Sequence, residues 1–167
     1  MEKIVLGGGC FWCIEAILKS ITGVFSVISG YAGGEDPNPN YQSVCSGQTG
    51  HAEVVMVSFD PNVSSLRSIL EVFWQAHDPT TLNRQGNDIG TQYRSAIYYY
   101  NNSQKEIIEK SMLLAQSSFT NPIVTEVSPL SKFYPAEQYH QDYYEKNPNA
   151  PYCYMIILPK LKKLGID

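Results

Sequence analysis

Short runs of apolar residues alternate along the chain with segments in which apolar residues recur every three or four positions. The first run, residues 3–6, predicts a short buried strand that a glycine triplet ends. After the triplet, the helical spacing predicts a helix that begins at Cys10 or Phe11 and is ended by Gly23. The apolar positions of this helix are Ile14, Ile17, Leu18 and Ile21.

Two longer strands are predicted in the rest of the first half. Residues 24–31 are rich in β-branched side chains and predict a strand, whereas the turn residues of 35–50 predict a loop. Residues 52–59 predict a strand that is apolar on both faces and therefore lies inside the sheet. Glu53 is the acidic exception, on the same face as Val55.

The second half predicts further elements around one long aperiodic stretch. Residues 77–94 carry three turn signals and no periodicity, and a connection of this length inside a domain is more often functional than idle. Capping residues predict helices that start after Ser64 and at Ser103, the latter through a capping box with Glu106. The helix that starts at Ser103 is predicted to end near Ser117. The remaining predictions are strands at 95–100 and 124–127, a short helix at 136–144 and an irregular tail.

This order of elements predicts an α+β fold. A βαββαβ core of the ferredoxin-like type would form a two-layer sandwich, with helices on a mixed or antiparallel sheet, followed by an irregular C-terminal segment. The chain has 167 residues with neither an internal repeat nor a linker. Residues 1–167 are therefore expected to form a single domain.

Charge and composition narrow the classes of protein. A formal net charge of -4 argues against a nucleic-acid-binding protein, which needs a basic face. No apolar stretch approaches the ~20 residues of a membrane-spanning helix, and no targeting segment begins the chain, so a cytoplasmic protein is expected. Four cysteines are too few for a disulfide scaffold at this length, which directs attention to the CxxC pair Cys10 and Cys13.

Cys10 lies where the first predicted strand gives way to a helix. The positive end of the helix dipole and the unpaired amide donors there stabilise a thiolate, so the pKa of this thiol is expected to be lowered. The alternative is a small buried thiol that only packs under the helix. The glycine triplet lets amide groups approach an anion, but no GxxxxGK[ST] pattern follows, and a nucleotide-binding loop is not indicated.

Glu53 and the aromatic residues beside Cys10 each have two interpretations. A desolvated Glu53 carboxyl would have a raised pKa and could donate a proton near neutral pH; it could instead reach water or pair with Arg94. Phe11 and Trp12 could form an apolar pocket for a methyl or thioether group, or pack in the core.

Further polar candidates are weaker. Asp88, Tyr41 and Tyr93 lie in predicted loops with the composition of binding segments, although each tyrosine by itself is better explained by a structural role. The three histidines are scattered, and one CxxC without a second ligand pair does not indicate a structural zinc site.

Motifs in a fixed order along nearly the whole chain resemble the peptide methionine sulfoxide reductase A family. The matching segments are Gly9-Cys10-Phe11-Trp12, residues 30–34 (GYAGG), Tyr41, 45–53 (CSGQTGHAE), 77–80, 84–97, 133–137, 139–141 and 146–148. The resemblance implies that Cys10 attacks the sulfoxide sulfur as the catalytic cysteine. It further implies that Glu53, assisted by hydrogen bonds from Tyr41 and Tyr93, protonates the departing oxygen.

The same resemblance implies a substrate site and substrates. Phe11 and Trp12 would surround the ε-methyl group of the substrate, and Asp88 would be a polar substrate-binding residue. Members of the family act on free and peptide-bound methionine S-sulfoxide, and a separate family reduces the other epimer. The expected substrates are therefore oxidised proteins and free methionine S-sulfoxide, and the expected role is protein repair after oxidation.

The implied cycle uses thiols only. Attack and protonation leave methionine and a Cys10 sulfenic acid, which a second thiol converts to a disulfide. Thioredoxin, or dithiothreitol in vitro, would then reduce that disulfide. No bound cofactor, metal, nucleic acid or membrane is expected to take part, and the chain is expected to act as a monomer.

The second thiol departs from the commonest family pattern. Many members have glycine at the position of Cys13 and two cysteines near the C-terminus, where this chain has only Cys153. Cys153 matches the usual resolving position in a segment expected to be flexible, so it is the preferred partner of Cys10. Cys13, one helical turn from Cys10, is the alternative. Cys45 is expected to be structural.

Two other classes of protein fit part of the sequence. A general thioredoxin-like disulfide oxidoreductase shares the strand–CxxC–helix arrangement; it would need both Cys10 and Cys13 and would tolerate loss of Glu53. A non-catalytic metal- or peptide-binding module would be indicated by stoichiometric zinc in the purified protein.

Overall fold

A six-stranded mixed sheet forms the centre of the computed structural model, which describes residues 1–166. Its strands are β1 (Glu2–Gly7), β2 (Val24–Ala32), β3 (Ala52–Phe59), β6 (Ala96–Tyr99), β7 (Glu126–Pro129) and β8 (Phe133–Pro135), and a separate hairpin is formed by β4 (Arg84–Gln85) and β5 (Asp88–Ile89). The strand order is β7-β6-β1-β3-β2-β8. Neighbouring strands are antiparallel except for the parallel pair β6 and β7.

Helices cover one face of this sheet. They are α1 (Phe11–Lys19), α2 (Tyr41–Cys45), α3 (Leu66–Ala76), α4 (Asn102–Gln116), α5 (Tyr143–Lys146) and α6 (Leu158–Lys163), with 3₁₀ turns at Thr91–Tyr93 and Gln138–His140 and a π-helical turn at Cys153–Ile157. None of the helices among residues 1–166 is both long enough and apolar enough to cross a membrane. The protein is thus a mixed α+β structure, as predicted.

Strand β3 lies at the middle of the sheet, between β1 and β2, which confirms its predicted interior position. Val55 and Val57 pack under the helices, whereas Val54 packs on the opposite face with Phe133. Each side chain buried in this way stabilises the fold by roughly 1.5–3 kcal/mol. The alternation along β3 therefore fixes which residues face α1, and it places Glu53 on that side.

The structure contains the two predicted helices α1 and α3, but the end of α1 and the cap of α3 differ from the prediction. Helix α1 begins at Phe11 as predicted, but it ends at Lys19, well before Gly23, because the amide and hydroxyl of Ser20 turn back onto the carbonyl of Ile17. The cap of α3 is Ser65, not Ser64; its hydroxyl accepts from the Ser68 N–H at 3.1 Å.

The predicted capping box at the start of α4 is wrong. Asn101 is the N-cap, and its side-chain oxygen accepts from the Gln104 N–H at 2.9 Å. Ser103 lies already inside the helix, so it cannot cap it.

The prediction of an irregular C-terminal segment is also wrong. Cys153, Ile157 and Leu161 recur every four residues and are all buried, so this stripe holds the π-helical turn and α6 against the core. Two further segments differ from their predictions. Residues 35–50 were predicted as a loop, but Asn40 caps the short helix α2 there. Residues 136–144 were predicted as one short helix, but a 3₁₀ turn precedes α5. Each of these helical pieces is too short for a periodic signal to stand out in the sequence.

The segment that precedes and includes α5, residues 136–146, runs beside β2. The Gln141 side chain accepts from the Ser29 N–H and donates to the Ser29 carbonyl, both at 2.9 Å. Lys19 of α1 forms ion pairs with Asp142 and Glu145. These contacts carry His140 and Tyr143 to the start of α1.

Replacing Gly33 by alanine is expected to lower the free energy of unfolding by roughly 2–4 kcal/mol, the sum of left-handed backbone strain and overpacking. Gly33 has φ +89°, and an added Cβ would overlap the Tyr98 hydroxyl and lie 2.8 Å from Arg94 Nη2. The matched control is Gly47→Ala, where φ is +78° but nothing lies within 4 Å of the added Cβ. Urea unfolding checks both variants; equal losses would contradict the role of crowding.

Candidate active site

Cys10 is the N-cap residue of α1, with an extended backbone (φ -63°, ψ 129°). The glycines before it pack closely on buried side chains. A Cβ on Gly8 would lie 2.8 Å from the ring of His77, whose Nδ1 hydrogen-bonds the Phe73 carbonyl at 2.7 Å and whose Nε2 hydrogen-bonds the Ser95 hydroxyl at 2.7 Å. Burial lowers the pKa of His77 to about 4, so this ring is neutral. The neutral histidine thus supports the loop that presents Cys10.

Glu53 points from β3 to the start of α1. Its Oε1 accepts a hydrogen bond from the Phe11 N–H at 3.2 Å, and its buried Oε2 has no partner. Burial raises the pKa of Glu53 to about 8, against the lowering effect of the Phe11 N–H. Arg94, the alternative partner considered from the sequence, pairs with Glu126 at 3.0 Å. Glu53 is therefore mostly protonated at neutral pH, as the desolvated-acid interpretation requires.

The Cys10 thiol does not have the lowered pKa that the sequence predicted. Burial raises its pKa well above the ordinary value, and the charges of Glu53 and Cys13 raise it further. Hydrogen bonds from the Trp12 N–H and the Tyr152 hydroxyl act in the opposite direction but are outweighed. The helix start offers donors to the sulfur, yet the loss of hydration is the larger effect. At rest the thiol is protonated.

Tyr41 and Tyr93 lie on the same side of the site as Glu53. Burial and the charges of Glu53 and Cys10 raise the pKa of both tyrosines, so their hydroxyls remain proton donors. The Tyr41 backbone is held by Glu137, which accepts from its N–H at 2.9 Å. Both predicted tyrosines thus lie near enough to Glu53 for its charge to act on their hydroxyls.

An aromatic wall stands beside Cys10. Trp12 stacks on Tyr143 at 3.8 Å between ring centroids and 7° between planes, and on Tyr41 at 6.4 Å. Phe11 lies 6.4 Å from the Tyr41 ring and 5.1 Å from that of His140. Phe11 is fully buried, while Trp12 keeps part of its surface exposed. The two aromatics predicted from the sequence therefore form part of a wall that is open on the Trp12 side.

Asp88 contacts the C-terminal segment. Its Oδ2 accepts a hydrogen bond from the Tyr152 hydroxyl at 3.0 Å, and that hydroxyl lies 3.8 Å from Cys13 Sγ. Tyr152 also meets Trp12 edge to face, with 5.7 Å between ring centroids. Asp88 thus belongs to the site, joined to it through Tyr152.

Two residues at this site had no role in the sequence prediction. His140 accepts from the Trp12 indole N–H at 3.1 Å, and its other ring nitrogen is buried without a partner. The Tyr152 hydroxyl contacts both Cys13 and Asp88. Both come from segments without periodicity, so no local pattern indicates that they return to α1.

The remaining cysteines differ in position. Cys13 and Cys153 are buried, whereas Cys45 at the end of α2 is half-buried beside Tyr41. Among residues 1–166, no group of three or more histidine, cysteine, aspartate or glutamate side chains is arranged to hold a metal ion.

A separate cavity of about 780 Å³ lies between α3, α4 and α6. Trp74, Phe119 and Lys160 are among its lining residues, and Cys10 and Glu53 are not. The candidate site at Cys10 is therefore separate from this cavity.

A thiol at a helix start, an undissociated carboxyl group and an apolar wall are the parts of a thiol-based oxidoreductase site. Comparison with known proteins defines it further. A family model for peptide methionine sulfoxide reductase matches residues 2–166. Peptide methionine sulfoxide reductase MsrA of Leptospira borgpetersenii is 56% identical over 163 residues, 98% of this chain and 93% of that protein. The protein of the same description from Trichodesmium erythraeum is 57% identical over 166 residues, with 98% and 94% covered.

Solved structures agree with the sequence comparisons. Reduced Mxr1 from Saccharomyces cerevisiae superposes with a TM-score of 0.86 at 38% identity, covering 89% of this chain and 87% of that one. Mxr1 in complex with Trx2 matches with a TM-score of 0.62 at 28% identity, covering 85% and 84%. The chain belongs to the peptide methionine sulfoxide reductase A family, a family of oxidoreductases.

Proposed function

We propose that the protein is a peptide-methionine (S)-S-oxide reductase that repairs oxidised proteins and also reduces free methionine S-sulfoxide. The observation that carries this proposal is the buried, unpartnered Oε2 of Glu53 beside Cys10 and the aromatic wall. A sulfoxide carries a polar oxygen and an apolar methyl group on one sulfur. The protonated carboxyl suits the oxygen, and the rings of Phe11 and Trp12 suit the methyl group.

The first step transfers oxygen from substrate to enzyme. Cys10 sulfur attacks the sulfoxide sulfur while Glu53 gives its proton to the sulfoxide oxygen, and the thiol proton replaces the one that Glu53 lost. Collapse of the adduct breaks both the sulfur–oxygen bond of the substrate and the bond between the two sulfurs, while the hydroxyl oxygen bonds to Cys10 sulfur; methionine is released and Cys10 is left as a sulfenic acid. Substrate sulfur is reduced by two electrons and Cys10 sulfur is oxidised by two.

The neutral resting state of both groups fits this step. A protonated thiol and a protonated carboxyl avoid two negative charges in a buried site, and the sulfoxide oxygen is the acceptor that draws the Glu53 proton away. Tyr41 and Tyr93 are proposed to donate hydrogen bonds to the same oxygen, and Asp88 to bind the polar part of the substrate once Tyr152 releases it.

A second cysteine then condenses with the sulfenic acid, releasing water and forming a disulfide. Cys153 and Cys13 are the candidates. We propose thioredoxin as the physiological reductant, with dithiothreitol as its substitute in vitro; the similarity to the yeast protein that was solved with Trx2 supports this partner. The cycle needs no bound cofactor.

We propose three further properties of the protein. The antiparallel order β6-β1-β3-β2, with α1 and α3 as crossovers, supports a ferredoxin-like βαββαβ core within a single domain. The thiol chemistry requires a reducing compartment, for which we propose the cytoplasm. We also propose that the protein acts as a monomer.

The purified protein is expected to reduce the S epimer of a methionine sulfoxide peptide and to leave the R epimer at the blank rate, because exchanging oxygen and methyl would point the apolar group at Glu53. Chromatography of each epimer with dithiothreitol as reductant measures this. Equal turnover of the two epimers, or stoichiometric zinc and no turnover, would reject the proposal. Reduction of a model disulfide at a higher rate than the sulfoxide would favour a general disulfide oxidoreductase.

A further inference from the structure

We propose that Cys13 is the thiol that captures oxidised Cys10, and that Cys153 then takes the disulfide from Cys13. The inference rests on the proposed reductase function, which supplies the sulfenic acid on Cys10. It gives the order in which the three thiols react. In this order, Cys10 returns to a free thiol before any external reductant acts.

The first argument is the geometry of the CxxC pair at the start of α1. Cys10 is the extended N-cap and Cys13 is the third residue of the helix, with the Cys13 N–H donating to the Cys10 carbonyl at 3.1 Å. Both side chains therefore start from the first turn of α1, and the charge of Cys13 acts on the Cys10 thiol. Because Cys10 lies outside the helix, a bridge to Cys13 leaves the hydrogen bonds of α1 in place.

The second argument is the placement of Cys153. Preference for Cys153 as first partner depended on a flexible C-terminal segment, but this residue has no exposed surface and lies in the π-helical turn that packs on α1. Tyr152, its neighbour in sequence, lies 3.8 Å from Cys13 Sγ through its hydroxyl oxygen. The turn therefore brings Cys153 to the Cys13 end of α1.

Cys13 stands between the other two thiols. It lies in the first turn of α1 after Cys10 and in the same core cluster as Cys153, and its charge raises the pKa of both thiols. Burial raises the pKa of Cys13 itself, while Lys160 and the Tyr152 hydroxyl act to lower it. The nearby Lys160 cation favours the Cys13 thiolate when it attacks the sulfenic acid.

The two steps balance without a further reactant. Cys13 sulfur attacks the sulfenic sulfur of Cys10; the sulfur–oxygen bond breaks and water leaves with the thiol proton. Cys153 sulfur then attacks Cys13 sulfur, breaking the Cys10–Cys13 bond, and its proton passes to the released Cys10 thiolate. The Cys13–Cys153 disulfide is left for thioredoxin to reduce.

Non-reducing peptide mapping after reaction with excess methionine sulfoxide peptide, without reductant, tests the order. The wild-type chain is expected to form two methionines per molecule, one before and one after the relay, with a Cys13–Cys153 bridge and an oxidised Cys10. Cys153→Ser should form one methionine and a Cys10–Cys13 bridge. Cys13→Ser should form one methionine and a Cys10 sulfenic acid that dimedone labels.

A bridge between Cys10 and Cys153 in the wild-type chain, or its formation in Cys13→Ser at the wild-type rate of disulfide formation, would overturn the proposal. A wild-type product with a Cys10–Cys13 bridge and a free Cys153 thiol would overturn its second step. Cys45→Ser is the matched control and should give the wild-type bridge and two methionines.

The design separates failure of the relay from failure of the function. If the protein is not a sulfoxide reductase, no variant forms methionine and no sulfenic acid appears. One methionine from Cys13→Ser shows that this variant is folded and active. Cys13→Ala serves the same purpose without a buried hydroxyl and should also accumulate the dimedone-labelled sulfenic acid.

Discussion

Replacing Cys10 by serine is expected to abolish methionine formation, down to the rate of the enzyme-free blank. In the proposed mechanism the two electrons that reduce the sulfoxide come from the Cys10 sulfur, which ends the step as a sulfenic acid. A serine oxygen is a weaker nucleophile at neutral pH and cannot accept the substrate oxygen in a stable form. Single-turnover reaction of a methionine sulfoxide peptide with stoichiometric enzyme measures the loss directly.

Cys13→Ser provides the comparison, because it changes a buried cysteine of the same helix by the same atom. It is expected to retain one methionine per molecule. Turnover that persists in Cys10→Ser would remove Cys10 from the chemistry, and equal loss in both variants would point to damage of α1 rather than to loss of a nucleophile.

Loss of the Glu53 carboxyl is expected to lower the rate of sulfoxide reduction by about 10²–10⁴-fold in Glu53→Ala, the usual contribution of a positioned proton donor. Glu53→Gln should retain more activity than the alanine variant, because its amide can still donate a hydrogen bond to the sulfoxide oxygen. In the proposed mechanism the protonated form of Glu53 is the active one, and burial raises its pKa to about 8. Activity of the wild-type enzyme should therefore fall as the pH rises through about 8.

The pH profile of single-turnover rates checks this assignment. Both Glu53 variants should lose the decline near pH 8 while they bind substrate. If Glu53→Ala keeps the same decline, another group is the proton donor.

The same buried acid has a consequence for stability. Its pKa is higher in the folded than in the unfolded state, so the folded protein holds the proton more tightly between pH 4.5 and about 8. Stability is therefore lost as the pH rises through this range, by up to roughly 5 kcal/mol when the carboxyl is fully ionised. Glu53→Gln should unfold at a higher temperature than the wild-type chain at pH 9, and the difference should shrink toward pH 4.

Local sequence patterns predicted the parts of the site that lie on regular elements. Strand β3 alternates clearly, and it puts Glu53 on the helix side; the glycine triplet before a periodic run puts Cys10 at a helix start. The family resemblance added the tyrosines and Asp88, which no periodicity marks. These residues come together because the central strands place the start of α1 against the start of β3.

Patterns within the sequence could not predict which of two opposing effects on the pKa of Cys10 is the larger. The helix start favours a thiolate, and the sequence shows it. The burial of Cys10 is a property of the whole fold, and it prevails. The C-terminal turns were missed for a related reason. Their buried stripe of Cys153, Ile157 and Leu161 becomes visible as a helix face only once the core they cover is known.

The outer edge of strand β2, next to the short strand β8, is protected against pairing with a strand of a second molecule. Strand β8 covers only residues 30–32 of β2. The carbonyl of the next residue, Ser29, accepts from the Ala136 N–H at 2.9 Å, but the Ser29 N–H would otherwise be open to a strand of a second molecule. The Gln141 side-chain oxygen accepts from this N–H, and its amide nitrogen donates to the Ser29 carbonyl as a second donor. One side chain thereby closes this position to edge-to-edge pairing.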